Sequence, residues 1–341
     1  MGAANARLRR RETRGLKLAR NPYYSGPVSD HFDGLRFFYP GGPRDKSLGE
    51  LWKMIRDSRR LRQPWPENPP ALPCPAPPRR VEGLRVTLIG HSTFLIQTAD
   101  INLLTDPVWA ERAGPFGWLG PKRATPPALR LEDLPPLDAI LLSHNHYDHM
   151  DLATLARLAP VPVLTPLGND AILTRHDKRI QARALDWGQS AEVGGCQVTC
   201  EPALHWSARG RGDRRMALWG SFMISGPAGC VFFAGDTGYG DGALFPAIAA
   251  RHERIRLALL PIGAYAPRWF MKDQHCDPDE AAAIFMALGA ERAFGCHWGT
   301  FRLTDEPYDE PPLRLAVALT KAGIAPELFV APPAGGVVEI G

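Results

Sequence analysis

Residues 143–149 read Ser143-His144-Asn145-His146-Tyr147-Asp148-His149, which sets four metal-ligand side chains, His144, His146, Asp148 and His149, inside six positions. Histidine occurs only 10 times in 341 residues, so composition alone does not produce this crowding. Imidazole nitrogens and a carboxylate oxygen are the donors that zinc, iron and manganese accept. The run follows Asp138-Ala139-Ile140-Leu141-Leu142, a short apolar stretch that reads as a buried strand. Ligands on a tight loop at a strand end can converge on one point while the sheet holds them still.

One loop rarely completes such a centre, and three further donors lie in the same context. His205 follows the apolar run 198–204, and His297 follows 292–296. Asp236 follows Val231-Phe232-Phe233-Ala234-Gly235, where Gly235 and Gly238 permit the tight turn that a bridging ligand needs. A histidine after one strand is usually structural. Three such positions in order behind His-x-His-x-Asp-His point instead to a metal centre.

These donors need elements to carry them. The runs 84–89, 93–97 and 101–105 are β-rich and separated by short turns, which predicts an antiparallel meander. Strand-like runs at 161–164, 198–204, 217–225, 231–233, 257–260, 292–295 and 328–330 then alternate with helical spacing near 169–176, 241–250, 278–288 and 312–322. Strands and helices in two successive halves predict an α/β protein with two sheets packed face to face and helices outside. Upstream, 48–61 has helical spacing through Leu51, Trp52, Ile55 and Leu61, and 64–78 holds eight prolines that form a stiff connector. The expected organisation is a basic disordered tail over 1–20, a lead-in over 21–80 packing on the main body, and a catalytic domain over 81–341.

The chain is 45% hydrophobic and 22% charged, which suffices to bury a core. No apolar run approaches the length of a membrane span. The N-terminus reaches Arg9-Arg10-Arg11 without an apolar stretch, so no secretory signal is expected. The six cysteines form no Cys-x-x-Cys pair and are too sparse for a disulfide scaffold, so cytoplasmic residence is the expectation. The net charge of +4 hides an asymmetry. Arg7, Arg9, Arg10, Arg11, Arg14, Lys17 and Arg20 stand against Glu12 alone in the tail, so the remaining body is slightly acidic. Such a tail suits anionic lipid headgroups, nucleic acid or plain solvation. The body has no basic-aromatic stripe, and no nucleic-acid partner is expected. Gly-rich phosphate loops and a Gly-x-Ser-x-Gly nucleophile elbow are absent from the sequence.

The seven donors in this order resemble the ligand set of the metallo-β-lactamase superfamily. Gly90-His91-Ser92-Thr93, Thr105-Asp106-Pro107, Gly120-Pro121-Lys122-Arg123 and Phe233-Ala234-Gly235-Asp236-Thr237-Gly238-Tyr239 narrow the resemblance to one branch. So do Leu260-Pro261-Ile262-Gly263-Ala264-Tyr265, Pro267-Arg268-Trp269-Phe270, Gln274-His275 and His297-Trp298-Gly299-Thr300. That branch holds the N-acyl-phosphatidylethanolamine-hydrolysing phospholipases D and their bacterial relatives. The resemblance runs from about residue 21 to 312 and leaves out the tail. It implies an αββα sandwich of two mixed β-sheets with a binuclear site at one edge, and a homodimer. It also implies that His144, His146 and His205 hold the first ion, that Asp148, His149 and His297 hold the second, and that Asp236 bridges.

Two Zn2+ ions, with iron or manganese as alternatives, would stabilise a bridging hydroxide that attacks a phosphodiester. The resemblance thus implies cleavage of N-acyl-phosphatidylethanolamine to an N-acylethanolamine and phosphatidate. Asp148 and His275 are the candidates to protonate the departing alkoxide, and Gln274 to hold a phosphate oxygen. Tyr147 and Trp206 are expected to line the pocket, Arg209 to meet an anionic group, and His91 to orient a ligand. Residues 109–123 carry Trp109, Phe116 and Trp118 and end in Lys122-Arg123. This loop suits the headgroup depth of a bilayer, or else forms a lid packed on the core. With the tail, it would give a peripheral hold on the inner membrane face. The competing readings are a lactonase or sugar-phosphate hydrolase of the same superfamily, an RNA-processing nuclease, and a non-enzymatic membrane-associated binding protein.

Overall fold

The strands within 84–105 are buried at almost every position rather than at every second one, the pattern of a sheet covered on both faces. The computed structural model, which describes residues 20–340 apart from 62, 68, 70 and 71, gives the reason. The expectation for the basic tail lies, Arg20 excepted, outside the described residues.

The first half runs α1 (Leu48–Leu61), β1 (Leu84–Gly90), β2 (Thr93–Thr98), β3 (Ile101–Thr105), β4 (Ala139–Leu141), α2 (Leu152–Leu158), β5 (Val163–Pro166), α3 (Asn169–His176), β6 (Ala182–Leu185) and β7 (Ser190–Val193). The second runs β8 (Cys196–Glu201), β9 (Ser221–Gly226), β10 (Gly229–Phe233), α4 (Leu244–Ala249), β11 (Ile255–Pro261), α5 (Arg268–Met271), α6 (Pro278–Leu288), β12 (Arg292–Cys296), α7 (Glu310–Ala322), β13 (Phe329–Val330) and β14 (Val337–Ile340). Two seven-stranded sheets result, ordered β14-β1-β2-β3-β4-β5-β6 and β13-β12-β11-β10-β9-β8-β7.

The sheets share one plan. The expected meander β1-β2-β3 is antiparallel and passes into parallel β4, β5 and β6. The run β8-β9-β10 is likewise antiparallel and passes into parallel β11, β12 and β13. Each half then crosses over. β7 joins the antiparallel edge of the second sheet, and β14 joins that of the first.

Alternation sorts the side chains into layers. Val86, Leu88, Phe94, Ile96 and Leu141 point inward to meet Phe222, Ile224, Val231, Phe233, Leu257 and Phe294. Ile89, Leu95, Ile140 and Leu142 point outward under Leu155 of α2 and Ile172 and Leu173 of α3. On the other side, Phe232, Ala258 and Leu260 meet Phe245, Ile284 and Leu315 from α4, α6 and α7. Each fully buried side chain of this size contributes roughly 1.5–3 kcal/mol. The result is an αββα sandwich. Residues of the lead-in lie on its flank, where Phe32 and Phe37 pack with Leu218 and Trp219.

Three strands fall outside the sequence expectation. β6 and β7 are short edge strands with mostly half-exposed or polar residues, so they lack an apolar signature. β14 is also an edge strand, paired on one side only. The expected strand over 217–225 begins only at Ser221, because residues 217–220 are drawn out to bond Ser143 and Leu167.

Candidate metal centre

The strand ends at one edge of the sandwich bring all seven donors together. After β4, Ser143 donates its N–H to Asp106 Oδ1 at 2.7 Å, and Met150 N–H returns to the carbonyl of His146 at 2.8 Å. The chain thereby folds into a tight loop that ends at Asp151. That carboxylate caps α2 through Ala153 and Thr154 and also accepts the N–H of Ala110 at 2.9 Å. On the other sheet, His205 follows β8, Asp236 follows β10 and His297 follows β12. Glycine is needed at two places around these turns, after β10 and, from the end of β11, against His297. A Cβ on Gly235 would lie 2.7 Å from Ser143 Cβ, and one on Gly263 would lie 2.1 Å from the carbonyl oxygen of His297. His91 (φ 56) and His297 (φ 61) occupy the left-handed region that non-glycine residues rarely enter, and such positions concentrate at functional sites.

Two donor sets emerge. His144 Nε2 lies 2.9 Å from His146 Nδ1, which lies 3.2 Å from His205 Nε2. Asp236 Oδ2 faces His144 at 3.9 Å and His205 at 3.7 Å. On its other side the same carboxylate stands 3.2 Å from His149 Nε2 and 3.2 Å from His297 Nε2. Asp148 Oδ2 completes the second set, 3.6 Å from His149 and 3.4 Å from His297. Ligand atoms from His144, His146, His205 and Asp236 lie within 4.8 Å of one another, as do those of His91, Asp148, His149 and His297.

The residues fit a metal by a test independent of spacing. His149 Nε2, His297 Nε2 and Asp236 Oδ1 are buried without a hydrogen-bond partner, although they face one another. Buried polar atoms without a completed hydrogen bond are costly, and a shared cation that displaces the imidazole protons would satisfy all three. The far sides of the rings are held as metal-bound imidazoles require. His149 Nδ1 donates to Asp106 at 2.6 Å, and His205 Nδ1 donates to the carbonyl of Gln274 at 2.8 Å. His91 Nε2 lies 3.1 Å from Asp148 Oδ2, in the orienting position expected for it.

Electrostatics divide the two sets. Burial and the surrounding imidazoles hold His144 well below its usual value, and burial with His205 takes His146 to about 3. Burial likewise takes His205 to about 4, against the pull of Asp236. These three rings are neutral and ready to ligate. In His149 and His297 burial opposes charge as well, but nearby carboxylates outweigh it. Asp236, Asp148 and Asp106 raise His149 well above the histidine range, and Asp236 with Asp148 takes His297 to about 9. In the metal-free protein these two sites therefore hold protons that a cation must displace. The raised value of His297 favours the metal-free fold below 6.5, an advantage lost as pH rises through about 9. Metal uptake at the second set is expected to release protons and to tighten as pH rises across that window. Metal titration at several pH values with a proton-sensitive dye checks this, and uptake independent of pH would refute it.

The remaining expected residues divide. His275 is buried, with Nδ1 4.0 Å from Asp236 Oδ2 and no partner of its own. Burial and the neighbouring histidines outweigh Asp236 and keep it neutral. Asp148 stays ionised despite burial, because His149, His297 and His91 surround it. Trp206 packs edge-on to His146 at 4.5 Å. Gln274 orients His205 through its backbone carbonyl, and its side chain lies on the wall of a neighbouring cleft.

Two of the expected pocket residues commit polar atoms to the metal loop. Arg209 Nη1 donates to the carbonyls of Asn145 at 3.2 Å and Met150 at 2.8 Å, so it braces the metal loop instead of offering those hydrogens to an anion. Tyr147 hands its hydroxyl to the carbonyl of Arg209 at 2.6 Å and supports the same brace. Arg123 also turns inward, donating to Ala110 and Val108, and leaves Lys122 as the exposed cation of the 109–123 loop.

The chain belongs to the metallo-β-lactamase superfamily: a beta-lactamase superfamily domain is matched over residues 101–298, and the protein is a metal-dependent hydrolase of that superfamily. Its relatives include the N-acyl-phosphatidylethanolamine-hydrolyzing phospholipase D 1 of Caenorhabditis elegans, 39% identical over 242 residues, 67% of this chain and 68% of that protein. The mitochondrial enzyme so named in Saccharomyces cerevisiae is 34% identical over 241 residues, 67% of this chain and 50% of that protein. Among solved structures, CmlA, a diiron beta-hydroxylase from Streptomyces venezuelae, superposes with a TM-score of 0.57 at 19% identity, covering 76% of this chain and 54% of that one. That likeness concerns the fold alone.

Proposed function

We propose that this protein hydrolyses the phosphodiester of membrane phospholipids at a two-zinc centre, releasing N-acylethanolamine and phosphatidate from N-acyl-phosphatidylethanolamine. The observation that carries this reading is an apolar cleft of about 570 Å³ beside the metal ligands, lined by Leu51, Met54, Phe270, Met271 and Leu303 and reaching Trp206 and Gln274. A lactone or sugar phosphate would leave that cleft unfilled, whereas an acyl chain suits it. The C. elegans and yeast relatives bear names that describe the same reaction.

In this scheme His144, His146 and His205 would hold one ion and Asp148, His149 and His297 the other, with Asp236 placed between the two sets. Two divalent cations, when bound, lower the pKa of water and neutralise charge gathering on the phosphoryl oxygens. Asp106 and the Gln274 carbonyl fix the rings that ligate. His275, a buried neutral imidazole near Asp236, would offer a hydrogen bond to the departing oxygen, and ionised Asp148 would serve as ligand. Product identification by mass spectrometry on N-acyl-phosphatidylethanolamine micelles, beside a panel of lactones, sugar phosphates and RNA, tests the substrate class. Elemental analysis of the same preparation separates zinc from iron and manganese. Turnover of lactones alone would remove the lipid reading.

Substrate of this kind resides in a bilayer, and Phe116 and Trp118 of the 109–123 loop are 79% and 66% exposed. No helix among the described residues is long and apolar enough to cross a membrane, so the hold we propose is peripheral. Replacing Phe116 and Trp118 together with alanine is expected to weaken binding to phospholipid vesicles roughly tenfold. Co-sedimentation measures it, and unchanged partition would remove the loop from membrane contact.

A further inference from the structure

With Arg209 committed to backbone carbonyls, a second arginine stands where an anion would pass. Arg214 lays its guanidinium 3.6 Å above the ring of Trp206, which is itself packed on His146. Arg214 and Trp206 line both cavities at this edge, the apolar cleft and a smaller one of about 270 Å³ that reaches His205 and is also lined by the charged side chains of Arg44, Arg215 and Asp273. The shelf therefore separates the place for a chain from the place for a headgroup.

Charge at the shelf is incompletely balanced. Arg44 pairs with Glu50 at 3.0 Å, and Lys46 pairs with Asp273 at 2.6 Å. Asp45 alone serves two guanidiniums, Arg214 at 3.1 Å and Arg215 at 2.8 Å. One positive charge remains over. Asp45 takes the Nε of Arg214, and no hydrogen bond to a described residue engages its Nη1 or Nη2. Stacking on an indole fixes the plane of a guanidinium and leaves its edge for a planar or tetrahedral oxyanion.

We propose that Arg214 is a specificity-determining residue that binds the anionic headgroup of an amphiphile whose chain lies in the adjoining cleft. This deepens the reading above, resting on it only for the chain in the cleft. The test measures binding and not turnover, so the two can fail separately. Metal-loaded wild type, Arg214→Met and Arg214→Lys are titrated calorimetrically with octyl phosphate, octyl glucoside and inorganic phosphate, each alkyl probe below its micellar concentration. Loss of a charge-assisted pair weakens octyl phosphate roughly 10- to 100-fold in Arg214→Met, with partial recovery in Arg214→Lys. Octyl glucoside, which carries no anion, and inorganic phosphate, which has no chain to seat its anion at the cleft mouth, change less than about twofold.

Equal weakening of octyl phosphate and octyl glucoside would reduce Arg214 to packing and overturn the proposal. Equal loss of inorganic phosphate would overturn it by moving the arginine's action to the metals. An unchanged octyl phosphate affinity, or none in wild type, would overturn it outright. If Arg214→Met fails to retain its metals, Arg214→Gln takes its place in the same comparison. Intact binding without phospholipid cleavage would count against the proposed reaction and leave Arg214 in its role.

Discussion

Asp236→Asn is expected to lower kcat/KM on the phospholipid substrate by about 10³-fold or more, which is about 4 kcal/mol of transition-state stabilisation. The carboxylate stands between both donor sets, with imidazoles of His144, His149 and His205 around one oxygen and His297 at the other. Asparagine keeps the volume and removes the charge that two cations must share, so elemental analysis should find fewer than two ions per chain. The fold should survive, because the three large apolar clusters that hold the sheets and helices include none of the seven donors. His146→Ala removes one of three neutral imidazoles and is expected to act in the same direction. Full activity in either variant, with circular dichroism unchanged, would show that the metals do not take part in the chemistry.

Asp106→Ala is the second large effect, although Asp106 touches no substrate. This wholly buried carboxylate accepts His149 Nδ1 at 2.6 Å, Ser143 Oγ at 2.6 Å and the Ser143 N–H at 2.7 Å. Removing a carboxylate that orients a ligating histidine typically weakens metal binding 10- to 100-fold. The stranded Ser143 groups cost about 1–3 kcal/mol more. Affinity for the ion at Asp148, His149 and His297 should fall more than that at the three neutral rings. Competition with a fluorescent zinc chelator resolves the two steps, and equal loss at both would assign Asp106 a general structural role.

Asp106 also marks a limit of the sequence. Searching strand ends for isolated donors picks out His205, Asp236 and His297, and Asp106 follows β3 in the same way. Its type and place match those of Asp236. What the sequence lacks is the spatial fact that β3 lies beside β4, which brings Asp106 under His149. The two arginines show the same limit. Nothing local distinguishes Arg209 from Arg214, and the difference arises because carbonyls near residue 150 reach one and a tryptophan ring carries the other. Long apolar runs such as β1 and β11 were legible because both faces are covered. The edge strands β6 and β7 were not, since exposed sides tolerate polar residues. α2, with seven residues, is too short to display a helical period.

The exchange of β7 and β14 between sheets has a consequence for biosynthesis. Among the described residues β1 is the first strand to leave the ribosome, but its outer neighbour is β14, the last of them, which pairs Leu84 with Ile340. Until those residues arrive, the nascent polypeptide displays an unpaired backbone rim beside the apolar layer between the sheets, a surface that invites misassembly or chaperones. Stalled translation products ending before residue 335 are expected to be digested readily by protease within residues 84–105, and resistance there would mean that the first sheet is secure without its late-arriving border.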